Sequence, residues 1–361
     1  MVLFLSAALA HGPPPQAVGV SAADASGPTF VRLTEGGAHR TDGGWVFACP
    51  ALWGSVPEVP FGRSHDGTAR LHGAFDLVNI SPEGDVAAQG VPELAVLELL
   101  DLTRGPDSPW ALRRVETGTE LWRVAPASRV WSTAALASAV AVDTTGVFVS
   151  EVDTGRLDVV QLSPAGAEIG RRTWDDAVDY TPGLRRSQGE TYLAKRRVGD
   201  HALVAADGTV LVTSANEILG PVQGLLVVDG LLYKLDGEAV VRTSEEAFVS
   251  CLEQVGSEVY ACVFPDLYAV DPVAGVLAES VFELADLQPP RWSRVPASAA
   301  DTCELEWRRI AADLGRELPL PTPSPDSGPN DVVEGGCGCG GRSLLLLPLI
   351  GLRRRRRAGR M

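Results

Sequence analysis

The stretches "LDVVQLSPAGAEI" (157–169) and "HALVAADGTVLVTS" (201–214) decide the reading of this chain. Each is a short apolar run, a turn of Ser, Pro, Ala, Asp and Gly, and a second apolar run, which is the pattern of a β-hairpin. The same design recurs in "FDLVNISPEGDVAA" (75–88), "LLYKLDGEAVV" (231–241) and "DLYAVDPVAGVLAES" (266–280). The turn glycines Gly43, Gly84, Gly166 and Gly208 are separated by 41, 82 and 42 residues, which is one, two and one units of a period near 41. The missing copy falls near Ala125, in the weaker match "LWRVAPAS" (121–128), and Gly237 and Gly275 continue the series at shorter spacing. A period of about 40–45 residues with several strands per repeat is that of propeller blades. The expected fold is therefore all-β, a β-propeller of about seven four-stranded blades over residues 18–316; six or eight blades fit the spacing too.

One turn carries a further pattern. "RTDGGWVF" places Arg40, Asp42, Gly44 and Phe47 at offsets 0, 2, 4 and 7. It resembles the Asp-box of sialidase-type propellers, Ser-x-Asp-x-Gly-x-x-aromatic, with Arg40 in the Ser position. The resemblance implies a structural hairpin lock remote from chemistry. The carboxylate would accept backbone N–H bonds, the glycine would take a positive φ, and the aromatic would pack under the hairpin.

Four cysteines fall in the body: Cys49, Cys251, Cys262 and Cys303. In "CLEQVGSEVYAC" (251–262), Gly256-Ser257 suits a two-residue turn, and folding about it sets Cys251 opposite Cys262 within bridging distance. Cys49 and Cys303 remain as partners, and their bridge would tie the first blade to a closing helix. That helix is expected in "DTCELEWRRIAADLG" (301–315), with Leu305, Trp307, Ile310, Ala311 and Leu314 near one face, Asp301 and Glu304 as a capping box, and Gly315 as the stop. The body has no CxxC and no clustered histidines, so neither metal nor cofactor is expected.

Both ends read as addresses. "MVLFLSAALA" (1–10) is an apolar run ending in an A-x-A cleavage pattern, expected to be a signal peptide. Residues 317–336, "ELPLPTPSPDSGPNDVVEGG", have the composition of an extended spacer. Residues 337–361 hold Cys337 and Cys339 among glycines, then the apolar run Leu344–Leu352, then Arg353–Arg357. That three-part order resembles the MYXO-CTERM sorting tails of myxobacterial surface proteins. The resemblance implies recognition by export and C-terminal sorting machinery, processing near Cys337 and Cys339, and retention at the outer membrane of a Gram-negative cell. A plain C-terminal membrane anchor is the other reading. "AHGPPPQAVGV" (10–20) followed by "GGAHRTDGGWVFAC" (36–49) is also similar to the start of a family of exported myxobacterial propellers, which implies the same fold and route but no activity.

The net charge of −15 argues against nucleic acid as a partner. The function expected is a surface-anchored binding or scaffold module with an extracellular ligand, contacted through blade-top loops. The alternative is a sialidase-like glycoside hydrolase. Its acids would come from "WDDAVDY" (174–180), that is Asp175, Asp176 and Asp179 with Tyr180, and its carboxylate grip from Arg185 and Arg186. Solvated loop charges are the simpler account of that stretch, and no catalytic residue is assigned.

Overall fold

The computed structural model describes residues 14–316, apart from 54–60, 63–66, 73–76, 82–83, 89–98, 105–108, 125, 144, 154–155, 175–180 and 198–199. Among the described residues, seven four-stranded antiparallel sheets follow one another along the chain, each a simple meander. They span 17–48, 61–88, 99–133, 136–174, 181–214, 219–242 and 251–282, and are called blades 1 to 7. The first strands of blades 2 to 7 lie side by side in order, Cys251–Val255 of blade 7 returns next to Ala17–Asp24 of blade 1, and that strand neighbours Ala69–His72 of blade 2. The ring is a seven-bladed β-propeller.

The 41-residue period is the period of one connection in the blade. Gly43, Gly84, Gly166, Gly208, Gly237 and Gly275 all fall in the connection between third and fourth strands, and position 125 falls between the corresponding strands Gly118–Arg123 and Ser128–Thr133. Gly84, Gly166, Gly208, Gly237 and Gly275 have φ between +62° and +95°, where an L side chain is strained. The spacing shortens in blade 6, whose first, second and fourth strands have only 4 residues each.

The core is divided among the seams between blades. Trp110, Leu112 and Leu121 of blade 3 meet Val147, Val149 and Val160 of blade 4. Phe148 and Leu157 of blade 4 meet Leu184 and Leu193 of blade 5. Val227 and Leu232 of blade 6 meet Leu252 and Val259 of blade 7. Blade 4, with one seam on each side, is thus apolar on both faces, as stacking in a ring requires.

Blade 1 is built only from the start of the body and blade 7 only from its end, so no shared sheet joins them. After Phe282 the chain runs back along the outer strand of blade 1, Gly44–Ala48. Gln288 pairs parallel with Val46 there, donating its N–H to Trp45 O (2.7 Å) and accepting Phe47 N–H (2.9 Å). This strap satisfies an edge that would otherwise be an open template for strand pairing. The helix Ala297–Asp313 then packs outside blade 1, with Trp307 against Phe47 at 6.0 Å between ring centroids.

The helix starts five residues earlier than a cap at Asp301 would set it, with Pro296 in the N-cap position and no side-chain cap. The run Ala297–Ala300 is helix-compatible and Pro is at home at a helix entry, so Asp301 lies inside the helix. Glu304 takes no capping role and pairs instead with Arg308, one turn on. The buried face is Ala299, Cys303, Trp307, Ile310 and Ala311, while Leu305 points to solvent at 71% exposure, opposite to its expected placement. Gly315 ends the helix at φ +66°, with Arg316 N–H on Ala311 O (2.8 Å) and Gly315 N–H on Ala312 O (2.9 Å), a Schellman closure.

Candidate functional site

Blades 1 and 7 meet across a partly buried charge pair. Arg32, on the second strand of blade 1, binds Glu253, on the first strand of blade 7, and Glu253 also accepts Val20 N–H at 2.6 Å. A Cβ on Gly19 would come within 2.1 Å of the Arg32 guanidinium, so glycine leaves the room this pair occupies. The outer radius of the same seam is bonded covalently, Cys49 to Cys303, with Cα atoms 5.4 Å apart. The second disulfide joins Cys251 and Cys262, cross-strand partners with Cα atoms 4.9 Å apart on the hairpin that turns at Gly256-Ser257.

The Asp-box resemblance is met in part. Gly44 has φ +111° and Phe47 is buried under the hairpin against the closing helix. Asp42, however, is exposed and accepts no hydrogen bond among the described residues. Thr41 supplies the lock: its hydroxyl accepts Gly43 N–H at 3.2 Å and donates to Gly44 O at 3.0 Å. A hydroxyl one residue before the two-residue turn reaches the same backbone groups and leaves the carboxylate in water. Arg40 reaches back to the turn between the first two strands, donating to Asp24 at 2.8 Å and to Ser26 Oγ at 2.6 Å.

Of the residues weighed for hydrolysis, Asp175, Asp176, Asp179 and Tyr180 lie outside the described residues, as do Cys337 and Cys339 of the tail. Arg186 is described, and it is occupied. It donates to Asp143 of blade 4 (Nε to Oδ2, 2.7 Å) and to Thr191 Oγ1 (2.6 Å), and lies over the Phe148 ring, 4.1 Å from its centroid. Burial works against the Asp143 charge, but hydrogen bonds from Thr145 and Arg186 outweigh it and hold the carboxyl below its ordinary range. Arg186 is a clamp between blades 4 and 5. Arg185 donates to the neighbouring Leu184 O at 3.1 Å. Among the described residues no group of three or more His, Cys, Asp or Glu is placed to hold a metal ion.

A surface that sequence reasoning passed over stands above the Cys251–Cys262 bridge. In each blade the second-to-third-strand turn lies at the same end of the ring as the connection entering that blade. For blade 7 these are the turn Phe264-Pro265 and the connection 243–250. Phe248 is 66% exposed on the connection and Phe264 59% exposed on the turn. Cys251 follows Phe248 by three residues and Cys262 precedes Phe264 by two, so the disulfide ties the roots of both aromatic-bearing segments. The fit is tight on the protein side: a Cβ on Gly230 would lie 2.1 Å from the Phe248 ring, and Val249 N–H donates to Gly230 O at 2.7 Å. Glu245 holds the connection in place. Its carboxylate accepts the N–H groups of Ala247 (3.0 Å) and Leu277 (3.1 Å). The Ala247 bond, against some desolvation, keeps its pKa below the usual range. The sequence signal was present as near mirror symmetry, "FVSC" (248–251) against "CVF" (262–264).

No family model matches the chain, and no curated protein matches it. Among solved structures, a streptogramin B lyase aligns at 10% identity over 71% of this chain and 94% of that one, with a TM-score of 0.44. Virginiamycin B lyase from Staphylococcus aureus aligns at 10% identity over 62% and 84%, with a TM-score of 0.42. Kluyveromyces lactis Hsv2 aligns at 15% identity over 51% and 64%, with a TM-score of 0.36. Likeness of this degree transfers no activity. The fold assignment rests on the seven sheets themselves, and what the chain is similar to is the β-propeller architecture.

Proposed function

We propose that this protein is an exported β-propeller held at the cell surface, acting as a binding or scaffold module whose contact face is the loop end of blades 6 and 7. The observation that carries the reading is the pair Phe248 and Phe264, both more than half exposed, on segments rooted in one disulfide. Large exposed aromatics on preorganised loops bring contact area at little cost in ordering, which is what a recognition surface needs. The two disulfides fit an oxidising compartment, in keeping with a signal at 1–10 and a sorting tail at 337–361. The hydrolase reading has lost Arg186 to Asp143.

The test is site-specific photo-crosslinking in the producing cells. A benzophenone side chain at Phe248 or Phe264 should give a discrete adduct, and one at Val210 on the outer strand of blade 5 should give none. Equal or absent adducts at all three positions would remove the contact face.

A further inference from the structure

The loop end of blades 6 and 7 is acidic as well as aromatic. Five segments lie at that end: the connections 215–218 and 243–250, the turns 229–230 and 264–266, and the return of the chain after blade 7, 283–288. Together they carry seven carboxylates and no lysine or arginine. Carboxylates flank both exposed rings. Asp229 belongs to the turn against which Phe248 packs, at Gly230, and Glu246 stands two residues before Phe248. Asp266 stands two residues after Phe264 and accepts Leu284 N–H at 2.8 Å, which brings Glu283 to the same turn. Asp229, Glu246 and Glu283 are all exposed. Among the described residues, Arg242 borders this set at the end of the outer strand of blade 6, and Arg316 is engaged with Ala285 O and Leu287 O.

Apolar rings set among carboxylates are complementary to a partner that is both flat and cationic. A phenyl face attracts a guanidinium, which lies flat on it, and a carboxylate beside the ring pairs with the same group. An anionic partner would meet this face with like charge. We propose that the contact face of blades 6 and 7 receives an extended, arginine-rich polypeptide segment, with guanidinium groups on Phe248 and Phe264 and their charge balanced by Glu246 and Glu283. The inference rests on the contact-face reading above and names the chemistry of its partner. The shape of the face fits an extended chain. One ring packs on the second-to-third-strand turn of blade 6 and the other stands on the same turn of blade 7, so successive side chains of a strand-like segment meet them in order. Both positions are held before binding: Val249 N–H donates to Gly230 O at 2.7 Å, and Pro265 O accepts Ala17 N–H at 2.9 Å. Ion pairs at an exposed face are individually weak, so the rings and the carboxylates are both required.

The experiment is fluorescence anisotropy of the oxidised protein at low ionic strength, with labelled dodecapeptides in which serine alternates with arginine, lysine, glutamine or glutamate. The arginine peptide should bind saturably, roughly threefold or more tighter than the lysine peptide, because the guanidinium stacks where the ammonium does not. The glutamine and glutamate peptides should not bind. Phe248→Ala with Phe264→Ala should weaken the arginine peptide about tenfold, and Glu246→Gln with Glu283→Gln should do the same. Glu238→Gln with Glu258→Gln removes the same charge from exposed positions at the opposite end of blades 6 and 7 and should leave the affinity unchanged. A retained thermal transition shows that each variant is folded. Binding of the glutamine or glutamate peptide that is lost with the two phenylalanines would keep the contact face and overturn its basic partner. Wild-type affinity for the arginine peptide without the two phenylalanines would overturn the face and the partner together. No saturable arginine-peptide binding, an equally tight lysine peptide, or equal loss in the opposite-end variant would overturn the partner alone, with the adducts at Phe248 and Phe264 still reading the face.

Discussion

Cys49 and Cys303, separated by 254 residues, are bonded with their Cα atoms 5.4 Å apart, so the last helix of the body is fixed to the end of the first blade. Because blades 1 and 7 share no sheet, this bond joins the two ends of the ring where strand exchange does not. Cys251 and Cys262 enclose a loop of only 11 residues of separation. By loop-closure entropy the long bridge is worth about 5 kcal/mol and the short one about 3 kcal/mol. Replacing Cys49 and Cys303 by Ser should therefore lower the urea midpoint more than replacing Cys251 and Cys262. The reverse order would mean that the strap and helix close the ring without the bond.

The Arg32–Glu253 pair makes the inner half of the same seam, and Glu253 is its more buried member. Glu253→Gln removes the buried carboxylate that faces the part-buried Arg32, and should cost about 2 kcal/mol of stability. Arg40→Gln, which removes the more exposed pair with Asp24, should cost under about 1 kcal/mol. Chemical denaturation of the two variants separates these magnitudes.

Stability should fall in acid. Asp143, Asp158, Glu120 and Glu245 are all held below the ordinary carboxylate range, in each case by hydrogen bonds or ion pairs that outweigh burial. A carboxyl depressed in the folded state stabilises fully above its unfolded value, and that contribution is lost as pH drops through the folded value. The denaturation midpoint should thus change little from these groups between about pH 6 and 7 and drop steeply below about pH 4. Asp143→Asn should make the acid limb shallower, and an unchanged limb would remove the Arg186 clamp from the account.

The turn at Asp42 distinguishes resemblance from mechanism. Asp42→Ala should change stability by less than about 0.5 kcal/mol, whereas Thr41→Ala, which removes both hydroxyl bonds at the turn, should cost about 1 kcal/mol.

Local chemistry made much of this legible. The glycines marked five of the blades because the turn before the outer strand takes a positive φ there, and Gly256-Ser257 set the register that opposes Cys251 and Cys262. What was not legible depended on distant partners. Nothing near Gln288 announces that it pairs with Val46, and nothing near Arg186 says that Asp143 takes it. Asp301 has the look of a helix cap, but the helical run upstream of it overrides that local choice. Phe248 and Phe264 were missed because an aromatic in a β-rich sequence is read as core unless the chain geometry puts it at a loop.

The most direct test of the account is the intact mass, with and without reduction, of the protein recovered from the cells that make it and from their medium. The account predicts a chain beginning at His11, cut near Cys337 and Cys339, with Cys49–Cys303 and Cys251–Cys262 both oxidised. A chain running from Met1 to Met361 with free thiols at all four body cysteines would contradict it.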